Sequence, residues 1–238
     1  MDIIKENIRT IFEYLKVFAK WLLISALVGI VGGVVGSVFH IGIDYVTELR
    51  GEHIWLLYLL PVGGIVIAVI YRLCKRYGHI DTNRVLEAAK RDEKVPLVMA
   101  PLIFISTLIT HLLGGSAGRE GAALQLGGSI GYNTGKLLRL NRSDMHIIIM
   151  TGMSAVFAAL FGTPVTAAFF AIEVVTVGIL HYAAIVPCII SSVIAVAMAG
   201  IFGIAPVRFE GVFIEAFTGS VVAKVTFLAL LCAIYYYY

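Results

Sequence analysis

Residues 114–131 read Gly-Gly-Ser-Ala-Gly-Arg-Glu-Gly-Ala-Ala-Leu-Gln-Leu-Gly-Gly-Ser-Ile-Gly, with Arg119 and Glu120 as the only charges. The apolar segments on either side are long enough to cross a bilayer, so the pair is expected at membrane depth. An ionisable side chain there is costly and marks a functional site by default. The glycines ahead of the pair suit an irregular, non-helical entry, and the Ala-Ala-Leu-Gln-Leu run after it restarts a helix. Arg119 and Glu120 therefore fall at a helix N-terminus, whose unpaired N–H groups and positive partial charge favour an anion. Anion conduction is the chemistry this stretch suggests.

The elements that must position the pair follow from composition. Of 238 residues 60% are hydrophobic and only 14% charged, with a mean hydropathy of +0.95, against about 25% charged in ordinary soluble domains. The chain is an all-α polytopic membrane protein on this reading. Its apolar runs are continuous and not alternating, which excludes a β-barrel, and its 24 glycines fit close helix packing in lipid. A net charge of +3, scattered beside apolar segments, points to lipid headgroups and away from nucleic acid. Cys74, Cys188 and Cys232 are far apart within apolar runs and read as buried free thiols, with no disulfide framework and no zinc spacing. The histidines form no i, i+4 metal pair, so neither a metal nor a cofactor is expected. No cleavable signal peptide is visible.

In chain order, residues 2–20 mix Ile, Phe and Leu with Lys5, Arg9, Lys16 and Lys20, the pattern of a helix lying along the cytoplasmic membrane surface. A first span covers 21–43, where Gly29 and Gly33, and offset from them Gly32 and Gly36, predict a small-residue packing face. Asp44, Glu48 and Glu52 follow. A second span, 54–73, ends in Arg72, Lys75 and Arg76, and this charge asymmetry places the N-terminus inside. Residues 80–94 form a short helix with Asp81 or Thr82 as N-cap, and 95–113 a third span. The helix after Glu120 returns to Lys136, Arg139 and Arg142. Residues 145–161 and 164–177 form a pair broken at Gly162-Thr163-Pro164, with Pro164 tolerated at a helix start. Residues 182–201 cross again, and 221–238 begin one more helix. Two interrupted helices whose N-termini enter the membrane from opposite sides are a known way to build a midplane anion site.

Gly118-Arg119-Glu120-Gly121, with Leu124-Gln125-Leu126-Gly127-Gly128 and Ile130-Gly131, closely resembles the second filter motif of the CLC family of chloride channels and anion/proton exchangers. The resemblance continues through Leu60-Pro61-Val62-Gly63-Gly64, Thr151-Gly152-Met153-Ser154-Ala155, Phe161-Gly162-Thr163-Pro164 and Phe170-Ala171-Ile172-Glu173, in matching order. It implies a fold of two inverted repeats with re-entrant broken helices. This chain would hold an interfacial helix (1–20), the first repeat (21–217) and the truncated start of the second (218–238), and reads as a fragment. Glu120 takes the place of the gating glutamate, while Gly118, Arg119, Glu120, Gly121 and Ala122 line an anion site and Arg119 adds positive potential at the outer mouth. The resemblance also implies a homodimer with a pore in each subunit, in the plasma membrane, moving chloride or a related halide with or without protons. Residues 164–177 and 182–201 would carry part of the dimer interface.

Departures from the family pattern bear on mechanism. Ala122 stands where a proline is usual. The first filter motif, Gly-Ser-Gly-Ile-Pro, is replaced by Asp81-Thr82-Asn83-Arg84, where the Thr82 hydroxyl or Asn83 amide acts either as an anion donor or as a plain N-cap. Fluoride-selective members also lack that serine motif, so a fluoride/proton antiporter is the alternative reading. Val174 occupies the place of the exchangers' internal glutamate, which fits both channels and fluoride transporters. Glu173 beside it reads as a structural, hydrogen-bonded residue. A membrane enzyme using Glu120 and His111 lacks any nucleophile–base constellation, and the glycines match no nucleotide loop. A non-conducting half-transporter that needs a partner is the remaining alternative.

Overall fold

The computed structural model describes residues 2–74, 84–91, 93–176, 178, 179, 181–205 and 218–237; the side chains of 2–9, 236 and 237 are excluded. These residues are helical and contain no strand. The chain divides into two compact units, residues 1–206 and 207–238. The second contains one apolar helix, α9 (Gly219–Tyr237).

The first unit begins with α1, a single helix from Asp2 to Glu52. Its 51 residues rise about 77 Å, well beyond the ~30 Å hydrocarbon core. The sequence suggests a surface helix to residue 20 and a separate span after it; no break separates them, because nothing between 2 and 52 is a proline and the lone Lys20 at the join pairs with Asp144 of a later helix. A 3-10 segment (Ile54–Leu59) leads into α2 (Leu60–Cys74). Then come α3 (Arg84–Lys90), α4 (Met99–Leu112), α5 (Arg119–Leu137), α6 (Arg142–Phe161), α7 (Pro164–Glu173) and α8 (Tyr182–Ile201). Among the described residues, four helical stretches are long and apolar enough to cross a membrane: 10–52, 54–74, 142–161 and 182–201.

The full span expected over 95–113 is instead a 14-residue helix of about 21 Å. Pro96 keeps the approach out of helix, and Pro101 is accommodated only because it falls in the first turn of α4, where its missing N–H had no intrahelical partner. The α6–α7 break falls at Gly162, which ends α6 in the left-handed region (φ 70°), with Pro164 opening α7.

Helix α6 is the hub, packed against α1, α3, α5, α7 and α8. Its residues from Ile148 to Leu160 are buried apart from Phe157. Close approach is made by small residues. A Cβ on Gly29 or Gly33 would lie 2.7 Å from the Ser191 carbonyl oxygen or Met198 Cβ of α8. One on Gly32 or Gly36 would lie 2.7 or 2.8 Å from Ala155 or Ala159 of α6. The two offset glycine pairs thus serve two different neighbours. Buried hydroxyls find backbone acceptors in the same seams: Ser154 donates to the Cys188 carbonyl (2.8 Å) and Ser191 to that of Thr151 (3.0 Å). The expectation of three buried thiols holds for Cys188 alone; Cys74 is half-buried and Cys232, on α9, is exposed. All three are free.

Candidate functional site: the N-terminus of α5

The break between α4 and α5 is built by the glycines and by a latch from α1. Gly114 has φ +77°, and a Cβ there would strike Leu57. The Gly115 N–H returns to the Thr110 carbonyl at 2.8 Å, which closes α4. Arg50, near the end of α1, donates to the His111 carbonyl at 2.9 Å, which also accepts the Gly114 N–H at 3.2 Å, and so ties this helix end to α1. His111 itself donates from Nδ1 to the Thr107 carbonyl at 2.9 Å, so it is a buried, hydrogen-bonded residue of α4.

Gly118 is the N-cap of α5 in extended conformation (φ −72°, ψ 139°), and having no side chain it caps nothing. By helix geometry the N–H groups of Arg119, Glu120 and Gly121 then lack intrahelical partners, while that of Ala122 turns back to the Gly118 carbonyl. Ala122 is buried, and Gly118, Glu120 and Gly121 are exposed. A Cβ on Gly121 would meet no atom within 4 Å. The Glu120 side chain curls back over its own helix start: a Cβ on Gly118 would lie 2.7 Å from Glu120 Oε2. Among the described residues that carboxylate has neither a hydrogen-bond nor an ion-pair partner. A negative side chain therefore hovers beside an uncapped, positively polarised helix end without closing on it.

Arg119, expected to add positive potential at the outer mouth, is paired with an acid of α1. Its Nη1 lies 3.5 Å from Asp44 Oδ1, and the other oxygen of Asp44 lies 3.1 Å from His40 Nε2. A cation in the first turn of a helix opposes the helix dipole, and the Asp44 carboxylate offsets both. The signal for this trio was present in the sequence as the i, i+4 pair His40 and Asp44, but its contact with Arg119 spans 75 residues and depends on how α1 crosses α5. Thr82 and Asn83, the other expected anion donors, lie outside the described residues. Glu173 has the hydrogen-bonded role expected of it: its Oε1 accepts from the N–H of Gly178 at 2.8 Å, where Gly178 turns through φ +79°. No cluster of metal-ligating side chains occurs among the described residues.

Broken apolar helices around an uncapped helix N-terminus define a polytopic, all-helical class of membrane protein. Within that class the chain belongs to the CLC family: the profile described as voltage gated chloride channel matches residues 63–236. The "Chloride/fluoride channel protein" of Pseudomonas syringae pv. tomato is 35% identical over 193 residues, 81% of this chain and 43% of the relative. The "H(+)/Cl(-) exchange transporter ClcA" of Vibrio campbellii is 26% identical over 168 residues, 64% of this chain and 36% of the relative. Among solved structures, that of a CLC-type fluoride/proton antiporter superposes with a TM-score of 0.80 at 31% identity, covering 90% of this chain and 54% of the antiporter. The chain thus spans about half the length of the relatives it matches, and its architecture is a partial CLC fold.

Proposed function

We propose that this chain supplies the first half of a CLC-type anion pathway, with Glu120 as its gate and the N–H groups of Arg119, Glu120 and Gly121 as anion donors. One observation carries the reading: the unpartnered Glu120 carboxylate lies over Gly118, beside a helix end with no side-chain cap. An anion drawn to those N–H groups meets a like charge already there. It enters when the carboxylate swings away or takes up a proton. The Asp44–Arg119 pair tempers the potential at the mouth of this site. Thr82 and Asn83 complete the donor set from the start of α3.

The proposed setting is a homodimer in the plasma membrane with a cytoplasmic N-terminus. Basic residues Arg72, Lys136, Arg139 and Arg142 lie at one set of helix ends, and Asp44, Glu48 and Glu52 at the other, which supports that orientation. Exposed Val165 and Phe169 of α7 and Val186 and Val193 of α8 suit an apolar subunit interface. Residues 218–238 are then the opening of the second repeat.

A second reading, fluoride/proton antiport, is favoured by the relatives themselves. Those at 35% and 31% identity are described with fluoride, and the one at 26% with chloride. The deciding experiment reconstitutes the protein carrying this chain in proteoliposomes, with fluoride, chloride and pH electrodes read together. Anion flux altered at least tenfold by Glu120→Gln or Glu120→Ala supports the gate, and flux indifferent to both overturns it. Opposed, stoichiometric proton movement distinguishes exchange from a channel. Flux only in the presence of a second polypeptide would mean a half-transporter.

A further inference from the structure

A cavity lined by described residues lies at the end of the bundle opposite Glu120. It has a volume of about 600 Å³ and is framed by the C-terminal end of α3 and the first turns of α6 and α8. Helix α5, about 28 Å long, separates this end from the Glu120 end. The cavity is thus distinct from the anion donors proposed at the start of α5.

Its polar lining is of one kind. Lys90 and Arg91 stand at its rim, and neither has an ion-pair partner among the described residues. Of the carboxylates on the surrounding segments, Glu93 is engaged with Arg84 at 3.3 Å, Asp144 with Lys20, and Glu173 with the Gly178 N–H, while that of the exposed Glu87, one turn before Lys90 and Arg91, has no partner among the described residues. No described lining residue is acidic. Ser143, Thr176 and Tyr182 add hydroxyls. His146 forms part of the wall and donates from Nδ1 to the Ala89 carbonyl at 2.7 Å, fixing α3 against α6. His181, the N-cap of α8, makes no capping bond, and its Nε2 is buried without a partner among the described residues. An unpaired buried ring nitrogen is an unusual thing for a folded chain to retain. The N-terminal turns of two 20-residue helices also bring their positive ends to the cavity.

We propose that this cavity binds a phosphate group, carried either by an anionic lipid headgroup or by a free phosphorylated solute. A guanidinium fork, an ammonium and hydroxyls converging on one cavity, with the His181 ring in its wall, match a polyoxygen anion. The volume is about twenty times the ~30 Å³ share of one water, far more than a bare halide needs, and within the ~300–1,000 Å³ of small-molecule sites. The reading is independent of whether Glu120 gates transport.

The test uses the full chain in detergent, with thermal unfolding and native mass spectrometry as readouts. Inorganic pyrophosphate probes the free solute, and phosphatidylglycerol against phosphatidylcholine probes the lipid. Wild type is expected to unfold several degrees higher with at least one of the two phosphate sources. Lys90→Gln/Arg91→Gln and, separately, His181→Gln are expected to lose that response and retain at least fivefold less ligand. Lys136→Gln, a basic residue outside the cavity, is expected to keep it. A response to phosphatidylglycerol alone assigns a headgroup, and one to pyrophosphate alone assigns a solute. No response to either, or a response undiminished in His181→Gln, overturns the proposal. His181→Gln keeps the test decisive if the double variant does not fold.

Discussion

The first turn of α5 and the two turns after it are built on opposite plans. From Ala122 to Ser129 the helix is buried, with Gln125 half-buried, and at Gly127 its backbone touches that of Gly152 in α6. Before Ala122, Gly118, Glu120 and Gly121 are exposed, and only Arg119 has a partner. A helix end can present its N–H groups to a ligand only if something else fixes the axis. Here the glycine seam fixes it, so the first turn carries almost no packing of its own. Close packing and exposed N–H groups thereby fall on adjacent turns of one helix.

The contrast is broken most severely at the seam. A Cβ on Gly127 would lie 2.8 Å from the carbonyl carbon of Gly152 and 2.9 Å from Met153 Cα, both backbone atoms that cannot rotate away. Gly127→Ala is expected to cost about 1–3 kcal/mol or more, which for a chain of this size lowers Tm by roughly 3–10 °C. Gly121→Ala, with open space around it, is expected to leave Tm unchanged or raise it slightly, since alanine is the better helix former by about 1 kcal/mol. Equal losses in the two would mean that the first turn is packed after all. A smaller effect follows at the α6–α8 contact: Ser191→Ala removes one hydroxyl shared between the Thr151 and Cys188 carbonyls and is expected to cost about 0.5–1.5 kcal/mol.

What the sequence makes legible is what local chemistry dictates. Gly118 ahead of Arg119 and Glu120 announces a helix start, Gly162-Thr163-Pro164 a break, and the paired glycines of α1 a packing face, and each lies where periodicity puts it. Which helix each glycine meets is not local: Gly29 finds α8 and Gly32 finds α6 because adjacent helix faces point in different directions. The same holds for Asp44, read from sequence as part of an acidic loop and found on α1, bridging His40 and Arg119. The cavity at Lys90 and His181 was illegible too, since its walls come from three helices far apart in the chain. Residue type announces caps and breaks; only the crossing of helices assembles ion pairs and pockets.

At the Asp44 bridge the expected loss is smaller than at the seams. Both side chains are partly exposed, so Asp44→Asn is expected to cost about 0–1 kcal/mol, and the difference from wild type should vanish in ~1 M salt, where the screening length is ~3 Å. Persistence at high salt would assign Asp44 a packing role. Removing its charge also leaves Arg119 uncompensated beside the helix end, so the half-saturating anion concentration for flux should fall.

The smallest effect on stability belongs to the residue expected to matter most for transport. Glu120→Gln removes an exposed, unpartnered charge, and all it can lose is the favourable field of the helix N-terminus, about 0.3–1 kcal/mol. Its Tm should therefore stay within about 3 °C of wild type. The informative quantity is how each protein responds to halide. A ligand that binds only the folded state stabilises by RT ln(1 + [L]/Kd), which is about 2.7 kcal/mol at a hundredfold excess over Kd. If Glu120 gates as proposed, its carboxylate competes in wild type for the same N–H groups and raises the apparent Kd, and in Glu120→Gln that competitor is neutral. Added fluoride or chloride should thus raise the Tm of Glu120→Gln more than that of wild type, although the unliganded proteins unfold together. Identical halide shifts would mean that the carboxylate and the anion do not share the α5 N-terminus. The exposed turn would then owe its openness to something other than an anion.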